Sequence, residues 1–305
     1  MGPIMLFDKS FLQALTVDES VWFGHFFMPV VCPIFFVETL ADLEKEVPEG
    51  RTAEQEVRII AEKFPEQSAK PCLFHGTMLS GDLLGHPVPL DGRIPLPGGR
   101  PVAKGDKVGY IFDQSPEMEA FSRWQRQEFL SVERQIARVW REQLKAIDLK
   151  MLVPLFKQLG IDGRSCRSLE LAREYARTAT TARGKHFPIA ELLTVFAGMP
   201  PQLAHAVLER WAIAGYRPLV EHAPYAAHVL SVELFFQFAL AASLISTDRA
   251  SNRVDVAYLN YLPFCHAFVS SDRLHQRCAP LFLRDNQRFV WGPDLKVSVR
   301  SAPLA

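Results

Sequence analysis

The chain has 305 residues, 48% of them hydrophobic, and its 34 basic residues balance 34 acidic ones. That is ample apolar material for a folded, soluble core in one large domain or two ordinary ones, and it excludes a global field that would draw in a polyanion or an anionic membrane. Five cysteines, Cys32, Cys72, Cys166, Cys265 and Cys278, are odd in number and contain no Cys-x-x-Cys pair. They argue against a disulfide framework and for a reducing compartment, the cytoplasm by default.

In chain order, PIMLF is a continuous apolar run suited to a buried parallel strand, and it ends at Asp8. Asp8 and Lys9 interrupt it, so it is not expected to act as a signal peptide. SFLQALTVDESVWFGHFF follows as helical material, with Phe11, Leu12 and Leu15 at helix spacing. Pro29 and Pro33 bracket VVC, a second short extended run or helix entry. Ile34 to Leu43 has helical spacing, with Glu38 near its start. Residues 70–115 are dense in Pro and Gly and read as turns with short extended pieces, a hairpin-like arm or a mobile loop. They contain neither GxxxxGK[ST] nor GxGxxG, so no phosphate cradle is expected there.

From Glu117 to about Gln158 the pattern is strongly helical, and Arg134, Arg138 and Arg141 share one face. Further helices are predicted through LELAREYARTATTAR, IAELLTVFA and PPQLAHAVLERWAIAG. The segment from Ala226 to Ile245 is apolar almost all round and is expected at the centre of the fold. Two stretches, VWFGHFFMPVVCPIFFVETL and VLSVELFFQFALAASLIST, have the look of membrane spans. The internal Pro29, Pro33 and Glu38 of one, and Glu233 and Gln237 of the other, make both buried elements instead. After a polar loop come VDVAYLNYLPFC, then HAFVSSD, a strand delivering Asp272 to its end, then extended RFVWG and LKVSV.

Asp8 closes the first strand, Glu38 opens a helix, Asp255 begins the segment leading to the Asp272 strand, and in a parallel sheet the carboxyl ends of strands share the edge where ligands bind. Crowded carboxylates stay ionised only around a cation, and oxygen ligands favour hard ions such as Mg²⁺ or Mn²⁺. Such ions activate water and stabilise the leaving oxygen of a phosphodiester.

FDKSFL, PIFFVETLADL and NRVDVAYLNYLPFCHAFVSSDRL resemble, in that order, the acidic motifs of the PIN domain nucleases. The resemblance implies an α/β fold with a PIN-like parallel sheet and flanking helices. It also implies that Asp8, Glu38, Asp255 and Asp272 are catalytic metal ligands for Mg²⁺ or Mn²⁺, that Ser10 and Ser270 orient carboxylates, and that RNA is cut in preference to DNA. It covers residues 1–50 and 228–305, which leaves 51–227 as a mostly helical insertion.

Blander readings stand beside these. Asp8 can simply cap a helix, Glu38 can be a dipole-favoured acid, and Asp248 competes with Asp255 for the third position. Cys72, His75 and His86 match no closed four-ligand zinc pattern, no GxSxG elbow is present, and Cys32 and Cys265 read as inert core thiols. Between Phe121 and Phe187, 14 Lys and Arg face 7 Asp and Glu. That excess is either a solvated helix face or a surface for RNA or single-stranded nucleic acid, centred on Arg134, Arg138 and Arg141. The rival overall reading is a catalytically inactive PIN-like module that binds nucleic acid or a protein partner through the insertion, with homo-oligomers allowed and no membrane contact.

Overall fold

The apolar run Ile4–Phe7 forms strand β1, and three of its four residues are buried, as a strand covered on both faces requires. The structure is a computed structural model that describes residues 2–47, 49–65, 68–105, 107–112, 115–149, 165–181 and 185–301. Strands β2 (Met28–Val31), β3 (Lys70–Pro71), β6 (Ala267–Ser270) and β7 (Arg288–Trp291) join β1 in a five-stranded sheet of order β3-β2-β1-β6-β7, with every pairing parallel. Met5 lies opposite Pro29 on one side and Ala267 on the other. The chain is therefore an α/β protein.

The first helical run divides in two. Helix α1 (Lys9–Ala14) is capped by Asp8, and α2 (Val17–Phe26) starts afresh because Thr16 and Glu19 form a capping box. Helix α3 (Pro33–Leu40) has proline in its first turn and continues into a 3₁₀ turn, Ala41–Glu44. Beyond α4 (Ala53–Glu62) and α5 (His75–Leu84), the Pro/Gly-rich stretch carries an antiparallel hairpin, β4 (Arg100–Lys104) with β5 (Lys107–Ile111). The helical signal from Glu117 resolves into α6 (Pro116–Gln125) and α7 (Ser131–Ala146); its last part, from residue 150, lies outside the described residues. Helices α8 (Leu169–Thr181), α9 (His186–Phe196), α10 (Leu203–Ile213) and the short α11 (Leu219–His222) lead to α12 (Pro224–Ala241), which is buried on nearly every side as its composition predicts.

Two expectations are corrected. LKVSV is not extended: it belongs to helix α15 (Gly292–Arg300), where Lys296 and Arg300 reach Glu19 of α2. The segment 51–227 is not purely an addition to the sheet, because it supplies the edge strand β3. One hydrophobic core also runs through both parts, with Phe35 against Phe121 at 5.9 Å and Phe36 against Trp124 at 4.8 Å. All five cysteines are buried free thiols. Among the described residues no helix is long and apolar enough to cross a membrane.

Candidate functional site

Strands β2 and β3 extend the sheet on one side of β1, and β6 and β7 extend it on the other. Right-handed crossovers then carry the connecting helices to opposite faces, so a crevice opens beyond the carboxyl ends of β1 and β6. Asp8 follows β1 directly. Its Oδ1 accepts from the Phe11 amide at 2.9 Å, and its Oδ2 accepts from the hydroxyls of Ser10 and Ser270, both at 2.7 Å. Asp272 lies two residues past β6 and caps helix α14 (Arg273–Cys278), its Oδ1 accepting from the Leu274 amide at 2.6 Å. Both strand-end acids therefore act as helix caps, whatever else they do. Ser10 orients Asp8 as expected. Ser270 also gives its proton to Asp8 and meets Asp272 only by accepting that residue's amide, at 2.9 Å, so it does not hold the Asp272 carboxylate.

The sequence reading passed over His275. Its ring is buried between the acids, with Nδ1 donating to Asp8 Oδ2 at 3.1 Å and Nε2 donating to the Asp255 carbonyl at 2.7 Å. Burial opposes the imidazolium, but the hydrogen bond and charge of Asp8, helped by Asp255, outweigh it and push the pKa up to about 9. The only sequence signal was position: His275 stands three residues after a capping Asp, which turns its side chain back toward the strand end.

Asp255 lies on α13 (Asn252–Ala257), and its carboxyl takes no hydrogen bond from a described residue. Burial, with the charges of Asp272, Glu38 and Asp8 against the relief of His275, pushes its pKa up to about 7. Asp255 thus sits in the field of the other three acids. Asp248 is exposed, with the Ser246 hydroxyl accepting from its amide at 3.1 Å. Glu38 is near the end of α3, not its start, because Pro33 begins that helix. Its Oε2 accepts from the Tyr258 hydroxyl at 2.8 Å, and burial raises its pKa despite Lys9 nearby. Lys9 is itself buried, donating to the Glu38 carbonyl at 3.2 Å and pairing with Asp42 at 2.8 Å.

Among the described residues no group of three or more His, Cys, Asp and Glu side chains is close enough together to hold a metal ion as they stand. The donor chemistry nevertheless suits a hard cation. Glu38 Oε1, Asp272 Oδ2 and both Asp255 oxygens accept no hydrogen bond from a described residue, whereas Asp8 Oδ2 serves three donors. Cys72 and His75 form no such set: the His75 amide and ring both face the Tyr261 hydroxyl, at 3.1 and 3.2 Å.

The three arginines of α7 each have a partner within the protein. Arg134 pairs with Glu54 at 2.9 Å and Arg138 with Glu44 at 3.9 Å. Arg141 reaches Asp42 at 3.4 Å and the Ala41 carbonyl at 2.9 Å. Their shared face docks α7 onto α4 and the 3₁₀ turn, and a phosphate there would compete with these carboxylates. No family model matches this chain, nor does any curated protein or solved structure.

Proposed function

We propose that the chain is a PIN-like, divalent-metal-dependent nuclease that hydrolyses phosphodiester bonds, in RNA rather than DNA. The observation that carries this reading is the convergence of Asp8 and Asp272 on the crevice between β1 and β6, with Glu38 and Asp255 brought within their field from two further segments. Asp8, Glu38, Asp255 and Asp272 would hold Mg²⁺ or Mn²⁺, and a bound ion supplies charge to activate water and to stabilise a leaving oxygen. Ser10, Ser270 and His275 fix Asp8 in one orientation, and Tyr258 fixes Glu38.

A second reading, a non-catalytic interaction module, is favoured by one observation. Asp8 is already satisfied by four donors, and buried His275 supplies the positive charge that an ion otherwise would.

Thermal melts with and without Mn²⁺ or Mg²⁺, paired with cleavage of a labelled RNA, separate the two. An ion at a hundredfold excess over its Kd stabilises the native state by about 2.7 kcal/mol, a clear rise in Tm. Asp272→Asn keeps a capping side chain, so it should retain the metal-free Tm while losing the metal-dependent rise and the cleavage. A wild-type melt that no divalent ion moves, together with no cleavage, would leave the interaction module.

A further inference from the structure

Asp255 and Asp272 also open into a polar cleft of about 380 Å³ between the loop after α12 and helix α14. Three arginines line it with them: Arg249 from the loop, and Arg273 and Arg277 from α14. All three are exposed. Arg273 and Arg277 stand four residues apart and so project on one side of their helix.

These arginines differ from most others in the molecule. Arg51, Arg58, Arg123, Arg134, Arg138, Arg141 and Arg253 all have carboxylate partners. The side chains of Arg249 and Arg273 make no hydrogen bond or ion pair with any described residue, and Arg277 donates only to the Leu244 carbonyl, at 3.1 Å. Two carboxylates share the cleft, yet none of the three guanidinium groups pairs with either.

We infer that this cleft is a phosphate-holding subsite, in which Arg249, Arg273 and Arg277 seat the backbone of a single-stranded polynucleotide beside the acidic crevice. The inference rests on the nuclease reading for its choice of ligand and adds where the strand is held. Guanidinium groups form forked hydrogen bonds with phosphate oxygens, and unpaired ones need not first release a carboxylate. Cations contributed by two separate elements suit a chain with successive phosphates better than one isolated phosphate. A phosphodiester chain satisfies both halves of the surface at once, its phosphates meeting the arginines while the carboxylates remain for a cation.

The test is binding of a short fluorescein-labelled single-stranded RNA by fluorescence anisotropy in EDTA, across a salt titration, so that cutting cannot interfere. For the triple variant R249Q/R273Q/R277Q, affinity at low salt should fall roughly tenfold or more. The slope of log K against log salt should become shallower by about 2, since each lost single-strand phosphate contact removes about 0.7. Arg58→Gln, on an ion-paired helix far along the chain from the cleft, should bind as wild type does. Thermal melts confirm that each variant is folded; if the triple variant is not, the single variants R249Q and R273Q carry the same comparison with proportionally smaller slope changes. Inorganic phosphate should compete only weakly with the RNA.

Unchanged affinity and slope in folded arginine variants would overturn the inference, as would wild-type protein that does not bind the RNA at low salt. Cleavage with Mg²⁺ is measured separately. Arginine-dependent binding without cleavage would keep the subsite and remove the nuclease reading, whereas cleavage with arginine-independent binding would do the reverse.

Discussion

A charged imidazole holds the centre of the acidic crevice. His275 donates to a carboxylate on one side and a backbone carbonyl on the other, so replacing it leaves buried Asp8 with three neutral donors and no facing cation. Removing one partner of a buried charged pair costs about 3–5 kcal/mol. His275→Ala should approach that cost in urea unfolding; a loss below about 1 kcal/mol would show that the imidazole does not brace Asp8. His75 and His228 behave in the opposite way. Burial pushes both down to about 4, so the folded protein keeps them neutral where the unfolded chain, with an ordinary histidine pKa near 6.5, takes up protons. The unfolded state then binds more protons between about pH 6.5 and 4, and stability falls as pH drops through that window, by on the order of 3 kcal/mol for each residue at most. His228→Gln should flatten the acid side of a Tm-against-pH curve. A variant curve as steep as wild type would assign the acid loss to other groups.

At the scale of elements, α7 acts as a brace behind the site. Arg141 reaches the Asp42 carboxylate that also neutralises buried Lys9, and Lys9 in turn holds the carbonyl of Glu38. Arg141→Gln should therefore cost about 1–3 kcal/mol, since it leaves a largely buried carboxylate one cation short. Arg138→Gln, whose 3.9 Å pair with Glu44 is exposed, should change stability by less than about 0.5 kcal/mol. Chemical denaturation of the two variants side by side decides it, and equal losses would deny α7 this role. The shared arginine face was legible in the sequence, but the acids that meet it come from a distant segment that no local pattern announces. Strand ends were legible for a simpler reason: a continuous apolar run that stops at an acid marks both the buried strand and its cap, as at Phe7–Asp8. LKVSV misled because Leu295, Val297 and Val299 alternate like a strand, while its helical state is set by Pro293 in the first turn and by ion pairs to Glu19. Glu38 was found, but its place within α3 was not, because the proline that starts the helix stands five residues earlier.

For the whole molecule, the coarse α/β class and the strand ends at Asp8 and Asp272 could be read from run length, whereas the union of the two segments into one core could not. Packing of Phe35 against Phe121 and of Phe36 against Trp124 depends on contacts between distant positions. A chain with residues 51–227 replaced by a short linker should accordingly lose strand β3 and this aromatic wall, and should show no cooperative thermal transition by circular dichroism. A sharp melt would restore 51–227 to the status of an independent insertion. The pairing of β1 with β6 has a temporal consequence as well. Asp8 leaves the ribosome 262 residues ahead of its Ser270 partner. At roughly 5–20 residues per second, that interval lasts roughly 13 to 52 seconds. Until it has passed, the growing polypeptide holds no complete set of acids, so any cutting activity would be withheld from the messenger and ribosomal RNA surrounding it during its own synthesis.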